Sequence, residues 1–358
     1  MTPLAEKLAA RIARDGPISV ADFMQACLYD PEHGYYRTRA AIGGAGDFVT
    51  APEISQAFGE LIGLWCAVVW QQMGAPSRCR LVELGPGRGT LMRDALRAAR
   101  AVPEFRGALT VHLVETNAAL EDEQRATLSD TDVAMSWHAD MRAIERAAPT
   151  IVIANEFLDT LPVDQWVRRA DAWRRRCVGV DAQGQLAFVD GASDGTPPLP
   201  FEQQDTVREG DVVESRDGRL RQLGADVAAL GAPLAALFID YGHRLPAPGD
   251  TLQAVRAHRY DDPLAAPGES DLTAQVDFAA AASAMQRAGL ACDGPITQAE
   301  LLGRLGIAER ASRLMAANPG QAARIESDVA RLMAPGGMGT RFHAMGVRSR
   351  GLATLPGF

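Results

Sequence analysis

Residues 80–90, RLVELGPGRGT, join a short apolar run ending on Glu83 to glycines at every second position, Gly85, Gly87 and Gly89. A buried strand running straight into a glycine-rich turn is how open α/β sheets bring backbone against a nucleotide-like ligand. The spacing discriminates further. A dinucleotide fingerprint, G-x-G-x-x-G/A, needs Gly or Ala at position 90, and this chain has Thr90. What remains is G-x-G-x-G behind an acid, with a plain glycine turn as the alternative.

An acid followed by G-x-G-x-G is the loop of S-adenosylmethionine (SAM) methyltransferases, so a second acid is expected at the end of the next strand. After the helix-like residues 91–100 comes LTVHLVET, which ends at Glu115, 26 residues beyond Gly89. A carboxylate there can accept hydrogen bonds from ribose hydroxyls. SWHADM then supplies Asp140 after a third short strand, where it reads an adenine amino group or is a surface acid.

The chain of 358 residues is long enough for a large core and one to two domains. Its net charge of −9 argues against a general nucleic-acid footprint, which needs a dominant basic face. The five cysteines, Cys27, Cys66, Cys79, Cys177 and Cys292, are scattered without C-x-x-C spacing, and the histidines show no metal-ligand spacing. Reduced thiols and no metal site are the expectation. No apolar run approaches the roughly 18 residues of a membrane span. The amphipathic start, MTPLAEKLAARIARDG, carries Glu6 and Asp15, so it reads as a folded helix rather than a secretion signal or transit peptide. High Ala and Arg usage adds to an expectation of a bacterial, cytoplasmic protein.

Apolar periodicity makes residues 1–75 a helical segment that caps the catalytic domain, interrupted by the glycine-punctuated RAAIGGAGDFVTAPEIS. Residues 76–358 read as a Rossmann-like α/β domain with insertions at about 165–232 and 244–335. Residues 78–160 carry four parallel strands, residues 165–215 an inserted antiparallel β region, and ALFIDYGH a fifth strand. The tail alternates C-terminal helices with a final strand, TRFHAMGVRS. The proline-rich stretch 194–204 reads as a lid or a dimer contact, which leaves a homodimer open.

The blocks HGYY, GDFVTAPEISQAFGELIG, LVELGPGRGTL, NEFLDTLPV, DYGH, DLTAQVDF, GPITQ and GGMGTRF occur in that order between about residues 22 and 347. Together they resemble the MidA-like methyltransferases, relatives of the mitochondrial methyltransferase needed to assemble respiratory complex I. The resemblance implies a SAM-dependent protein arginine methyltransferase giving symmetric dimethylarginine. It also implies a protein substrate that presents an arginine, such as a subunit of that complex. A small-molecule methyltransferase on the same fold and a SAM-binding assembly factor with little turnover remain the alternatives.

Arginine methylation sets a specific chemical demand. A guanidinium is a poor nucleophile because its lone pairs are delocalised and its pKa exceeds about 12. Carboxylates can clamp the fork, bias charge away from one nitrogen and take the proton. IVIANEFLDTLPV delivers Asn155, Glu156 and Asp159 at the carboxyl end of a buried strand, where ligands bind in open sheets. Glu156 is the candidate clamp, or a solvated acid. Asp159 is its partner or orienting residue, or a turn cap. Asn155 is a candidate contact for the methionine part of SAM. In the family's GDFVTAPE block, Asp47 is expected at the SAM amine and Glu53 at the glycine loop, with helix capping sufficient for Thr50 and Glu53. Asp240, Tyr241 and His243 are expected to face the same crevice.

Overall fold

Hydrophobic runs bounded by turns build a sheet covered on both faces. The computed structural model describes residues 1–38, 50–170, 172–192, 207–256 and 258–358. Among the described residues the central sheet has a main path of β1 (Cys79–Leu84), β2 (Leu109–Val114), β3 (Ala134–His138), β4 (Thr150–Asn155), β5 (Leu234–His243), β6 (Ala291–Thr297) and β7 (Phe342–Arg348), and a two-residue strand, Val276–Asp277, pairs in parallel with the end of β5. Their order across the sheet is β6-β7-β5-β4-β1-β2-β3. β1 to β5 pair in parallel, and β7 runs antiparallel to both of its neighbours. Every residue of β1 and β4 is buried, as a sheet clothed in helices requires.

Alternation along the strands sorts side chains between two cores. Leu81, Ile151, Ile153 and Leu237 face helices Gln56–Gln72 and Thr90–Ala98. Val82, Leu84, Val152, Ala154 and Phe238 face helices Asp217–Ala229 and Phe278–Arg287. The two helices on the first side pack closely. A Cβ on Gly63 would lie 2.4 Å from the Ala95 carbonyl oxygen, so the FGELIG block is needed for that contact.

A second, antiparallel sheet contains strands Asp164–Arg168, Trp173–Val180, Leu186–Asp190 and Val212–Ser215, within the region expected to be inserted β. Ile18–Ser19 also pairs with it, at Val178 and Cys177. Helices Pro3–Asp15 and Val20–Tyr29 therefore share a third core with Val163, Val178, Leu252 and Leu272, whereas Gln56–Gln72 belongs to the layer over the central sheet. Strand β6 is absent from the sequence reading. Its segment, ACDGPIT, contains a glycine and a proline, and its pairing with β7 shifts register between Asp293 and Ile296. An edge position tolerates such an interruption. Asp47 and the stretch 194–204 lie outside the described residues.

The strand order reverses at β1, which has β4 on one side and β2 on the other. Such a switch point opens a crevice at the carboxyl ends of the strands. Among the described residues, no helix is long and apolar enough to cross a membrane.

Candidate active site

The glycine loop leaves β1 at this crevice. Gly85, Gly87 and Gly89 have φ of +63°, +54° and +79°, conformations that cost an L-residue roughly 1–2 kcal/mol each. Gly89 caps helix Thr90–Ala98, whose N-terminus presents backbone N–H groups to the loop. Glu83, the last acid before the loop, is only 3% exposed. Burial pushes its carboxyl up to about 8, and its Oε2 has no hydrogen-bond partner. The hydroxyl of Thr90 donates to Glu53, which couples the short helix Ala51–Ile54 to the end of the loop.

Glu115 follows β2, and both its oxygens are already in use. Oε1 accepts the backbone N–H groups of Thr116 and Asn117 at 2.8 Å each, and Oε2 accepts Gln124 Nε2 at 3.1 Å. Each carboxylate oxygen has two lone pairs, so acceptor capacity remains. Gln124 also donates to the Gly87 carbonyl at 2.7 Å and so ties the glycine loop to Glu115. Asn117 caps helix Ala118–Thr127 by accepting from Ala119 N at 2.9 Å. Asp140 caps the turn Met141–Ala143 and is gripped by the Arg142 guanidinium, which holds its carboxyl below the usual range.

At the end of β4, Asn155 is buried and its Oδ1 has no partner, while its Nδ2 donates to Glu156 Oε1 at 3.1 Å. Glu156 has φ +52°, a non-glycine residue in the left-handed region. That strain costs of order 1–3 kcal/mol and persists only where the surroundings impose it. Its Oε1 also accepts Ala51 N at 3.1 Å. Burial, with the charge of Asp159 adding to it, pushes the Glu156 carboxyl up to about 7. Asp159 is buried beneath this acid in the turn Leu158–Thr160, and burial raises its carboxyl too.

Two cavities meet here. One of about 770 Å³ runs from Gly85, Gly87, Glu115 and Asp140 past Glu156 and Phe157 to Tyr29 and Tyr36. A smaller one, about 50 Å³, is lined by Thr50, Glu53, Glu83 and Asn155 together with Gly85, Gly87 and Glu156. The structure therefore brings Glu53, Glu83, Gly85, Gly87, Glu115, Asp140, Asn155, Glu156 and Thr50 around one connected space. Gly89 and Asp159 support it without lining it.

Two readings need correction. Thr50 does not cap its helix through its side chain, although its carbonyl accepts the N–H of Glu53 at 3.0 Å. Tyr241 and His243 do not face the main crevice: the Tyr241 hydroxyl accepts from Gln253 Nε2 at 3.2 Å, and His243 lines a separate cavity. Asp240 and Tyr241 of this strand instead both reach the turn beneath Glu156: Asp240 accepts its N–H groups, and the Tyr241 side chain hydrogen-bonds the Asp159 carboxyl. Tyr29, Tyr36 and Gln124 were not singled out from the sequence. HGYY does contain Tyr36, but a tyrosine pair carries no spacing signal that separates a cavity wall from a core.

The unpartnered Oε2 of Glu83 and Oδ1 of Asn155 are acceptors in want of donors, beside a loop shaped for close backbone approach. A ligand that is cationic and rich in N–H groups at one end, and carries a ribose at the other, fits that donor set. Known proteins similar to this chain fit the same ligand. A family of S-adenosyl-L-methionine-dependent methyltransferases matches residues 61–296. A Danio rerio protein named protein arginine methyltransferase NDUFAF7, mitochondrial, is 35% identical over 369 residues, covering 96% of this chain and 86% of its own. The Homo sapiens protein of that name is 35% identical over 370 residues, 96% of this chain and 82% of its own. A Burkholderia thailandensis protein solved with S-adenosyl-homocysteine bound superposes with a TM-score of 0.86 at 29% identity, over 99% of this chain and 93% of its own. The expectation of a cytoplasmic bacterial protein is overturned by the Danio rerio and Homo sapiens relatives, which are named as mitochondrial.

Proposed function

The chain belongs to the family of S-adenosyl-L-methionine-dependent methyltransferases, and from that premise we propose that its acceptor is an arginine on a protein, bound by Glu156. The observation that carries this reading is the position of Glu156. Its carboxylate lines both cavities, between the half that contains the glycine loop and Glu115 and the half walled by Tyr29 and Tyr36.

SAM supplies an electrophilic methyl group on a sulfonium. The residues suited to hold it are Glu83 and Asn155 at the methionine end, Gly85 and Gly87 along the backbone, Glu115 at the ribose and Asp140 toward the base. Thr50 and Glu53 brace the loop side, and Asp47 of the same block is proposed to join them. Glu156 accepts N–H bonds from the incoming guanidinium and fixes one nitrogen, which leaves the other with more lone-pair character. The guanidinium in turn stabilises the ionised form of Glu156, whose own burial works against it. The acceptor nitrogen would gain the methyl as the methyl–sulfur bond breaks and would then shed a proton, which the Glu156 carboxylate is suited to take. Asp159, buried outside the lining, is suited to orienting this acid rather than touching substrate. Much of the rate comes from holding the two reactants in contact.

The test is transfer of labelled methyl from SAM into an extracted proteome, with the labelled residue mapped by mass spectrometry. Label on arginine supports the reading and identifies the mono- or dimethylated product. Label confined to another residue type or to small molecules rejects it.

A further inference from the structure

The turn after Glu156 is held by two buried side chains that act on its backbone. Asp240 is 0% exposed, and its Oδ2 accepts the N–H groups of Phe157, Leu158 and Asp159 at 3.0, 2.8 and 3.2 Å. Its Oδ1 accepts Tyr241 N at 2.9 Å. From the opposite side comes Arg216, 6% exposed. Its Nε donates to the Leu161 carbonyl at 2.8 Å and its Nη2 to those of Asp159 and Ala274 at 3.2 and 2.5 Å. Its Nη1 donates to the Gln275 carbonyl at 2.6 Å. One side chain thus satisfies the N–H side of the turn and the other its carbonyl side.

Burying a polar group is costly unless it is hydrogen-bonded, and here Asp240 accepts four backbone N–H groups while Arg216 donates to four backbone carbonyls. Two such groups on a single turn of a few residues exceed what ordinary turn closure requires. The residue at the head of the turn is the left-handed Glu156, whose backbone N–H donates to Ile239 O at 2.8 Å, one residue before Asp240. We propose that Asp240 and Arg216 are positioning residues that hold Glu156 in its left-handed conformation at the junction of the two cavities. Their contribution to methyl transfer passes through the turn, and neither needs to meet the reacting atoms. This inference rests on the reading of Glu156 as the acid that binds the acceptor.

The variants are Asp240→Asn, which keeps shape but loses one acceptor oxygen, and Arg216→Lys, which keeps charge but loses the fork. Each is measured for S-adenosyl-homocysteine affinity, amide hydrogen exchange over residues 156–161, and kcat and KM for the arginine acceptor. In Asp240→Asn, exchange at the 157–159 amides is expected to rise about tenfold or more, because one amide oxygen replaces the two carboxylate oxygens. A misplaced acid is expected to cost kcat about 100-fold, with KM and cofactor affinity changed by less than about threefold. Glu156→Gln serves as the contrast: it loses turnover without faster exchange. Wild-type exchange and kcat in both variants would overturn the proposal. So would a loss of cofactor affinity that matches the loss of turnover, because it marks general collapse of the site. Failure of the unmodified protein to methylate arginine counts against the proposed function instead, and the exchange rates still decide whether these two residues hold the turn.

Discussion

The backbone N–H of Ala51 donates to Glu156 Oε1 at 3.1 Å, so a residue 105 positions earlier in the chain fixes one oxygen of the acid that ends β4. The same oxygen accepts Asn155 Nδ2, which leaves Oε2 for a ligand.

Activity should therefore track ionisation of Glu156. Its carboxyl is pushed up to about 7 by burial, and the acid must be ionised to bind a guanidinium and accept a proton. Turnover at low acceptor concentration is expected to rise about tenfold per pH unit below about 7 and to level off above it. A pH–rate profile of kcat/KM checks this, and a flat profile between about pH 5.5 and 8 would contradict it.

Stability of the ligand-free protein should run the other way. Burial raises the Glu83 carboxyl from its ordinary 4.5 to about 8, so the folded chain keeps a proton that the unfolded chain releases. Between those values the unfolded state binds fewer protons, and stability falls as pH rises. Glu83→Gln removes this effect. It is expected to stabilise the ligand-free protein at pH 8 while weakening SAM binding about 10- to 100-fold through the lost charged acceptor. Thermal denaturation and calorimetry read both effects, and a variant that binds SAM normally would remove Glu83 from the cofactor site.

Glu115→Ala should weaken SAM about 10- to 100-fold, because a charged acceptor for the ribose is lost. It also strips acceptors from Thr116 N, Asn117 N and Gln124, so a fall of a few degrees in Tm is expected alongside. Calorimetric titration with S-adenosyl-homocysteine is the check. Unchanged affinity would place the ribose elsewhere.

The sequence was legible where one residue type has one conformational meaning. Gly85, Gly87 and Gly89 all take the left-handed backbone that their spacing suggests, and the apolar runs of β1, β4 and β5 are buried strands. Glu115 and Glu156 could be placed because they end such strands. What stayed hidden depends on contacts distant in sequence. Gln124 looks like any polar residue of a helix until the fold sets it between Gly87 and Glu115. Arg216 gives no motif at all, because its partners are carbonyl oxygens contributed by two separate turns. The pairing of Ile18–Ser19 with a strand 160 residues later was equally invisible, since two residues carry no periodicity.

The most direct test of the account is single-turnover methyl transfer to an arginine peptide by Glu156→Gln beside the unmodified protein, with SAM affinity measured on the same preparations. Glutamine can still accept the Ala51 N–H but can neither carry the charge nor take the proton. The prediction is a fall in rate of about 100- to 1,000-fold with SAM affinity unchanged. An unchanged rate would contradict the role assigned to Glu156 and, with it, the central claim about what this site binds.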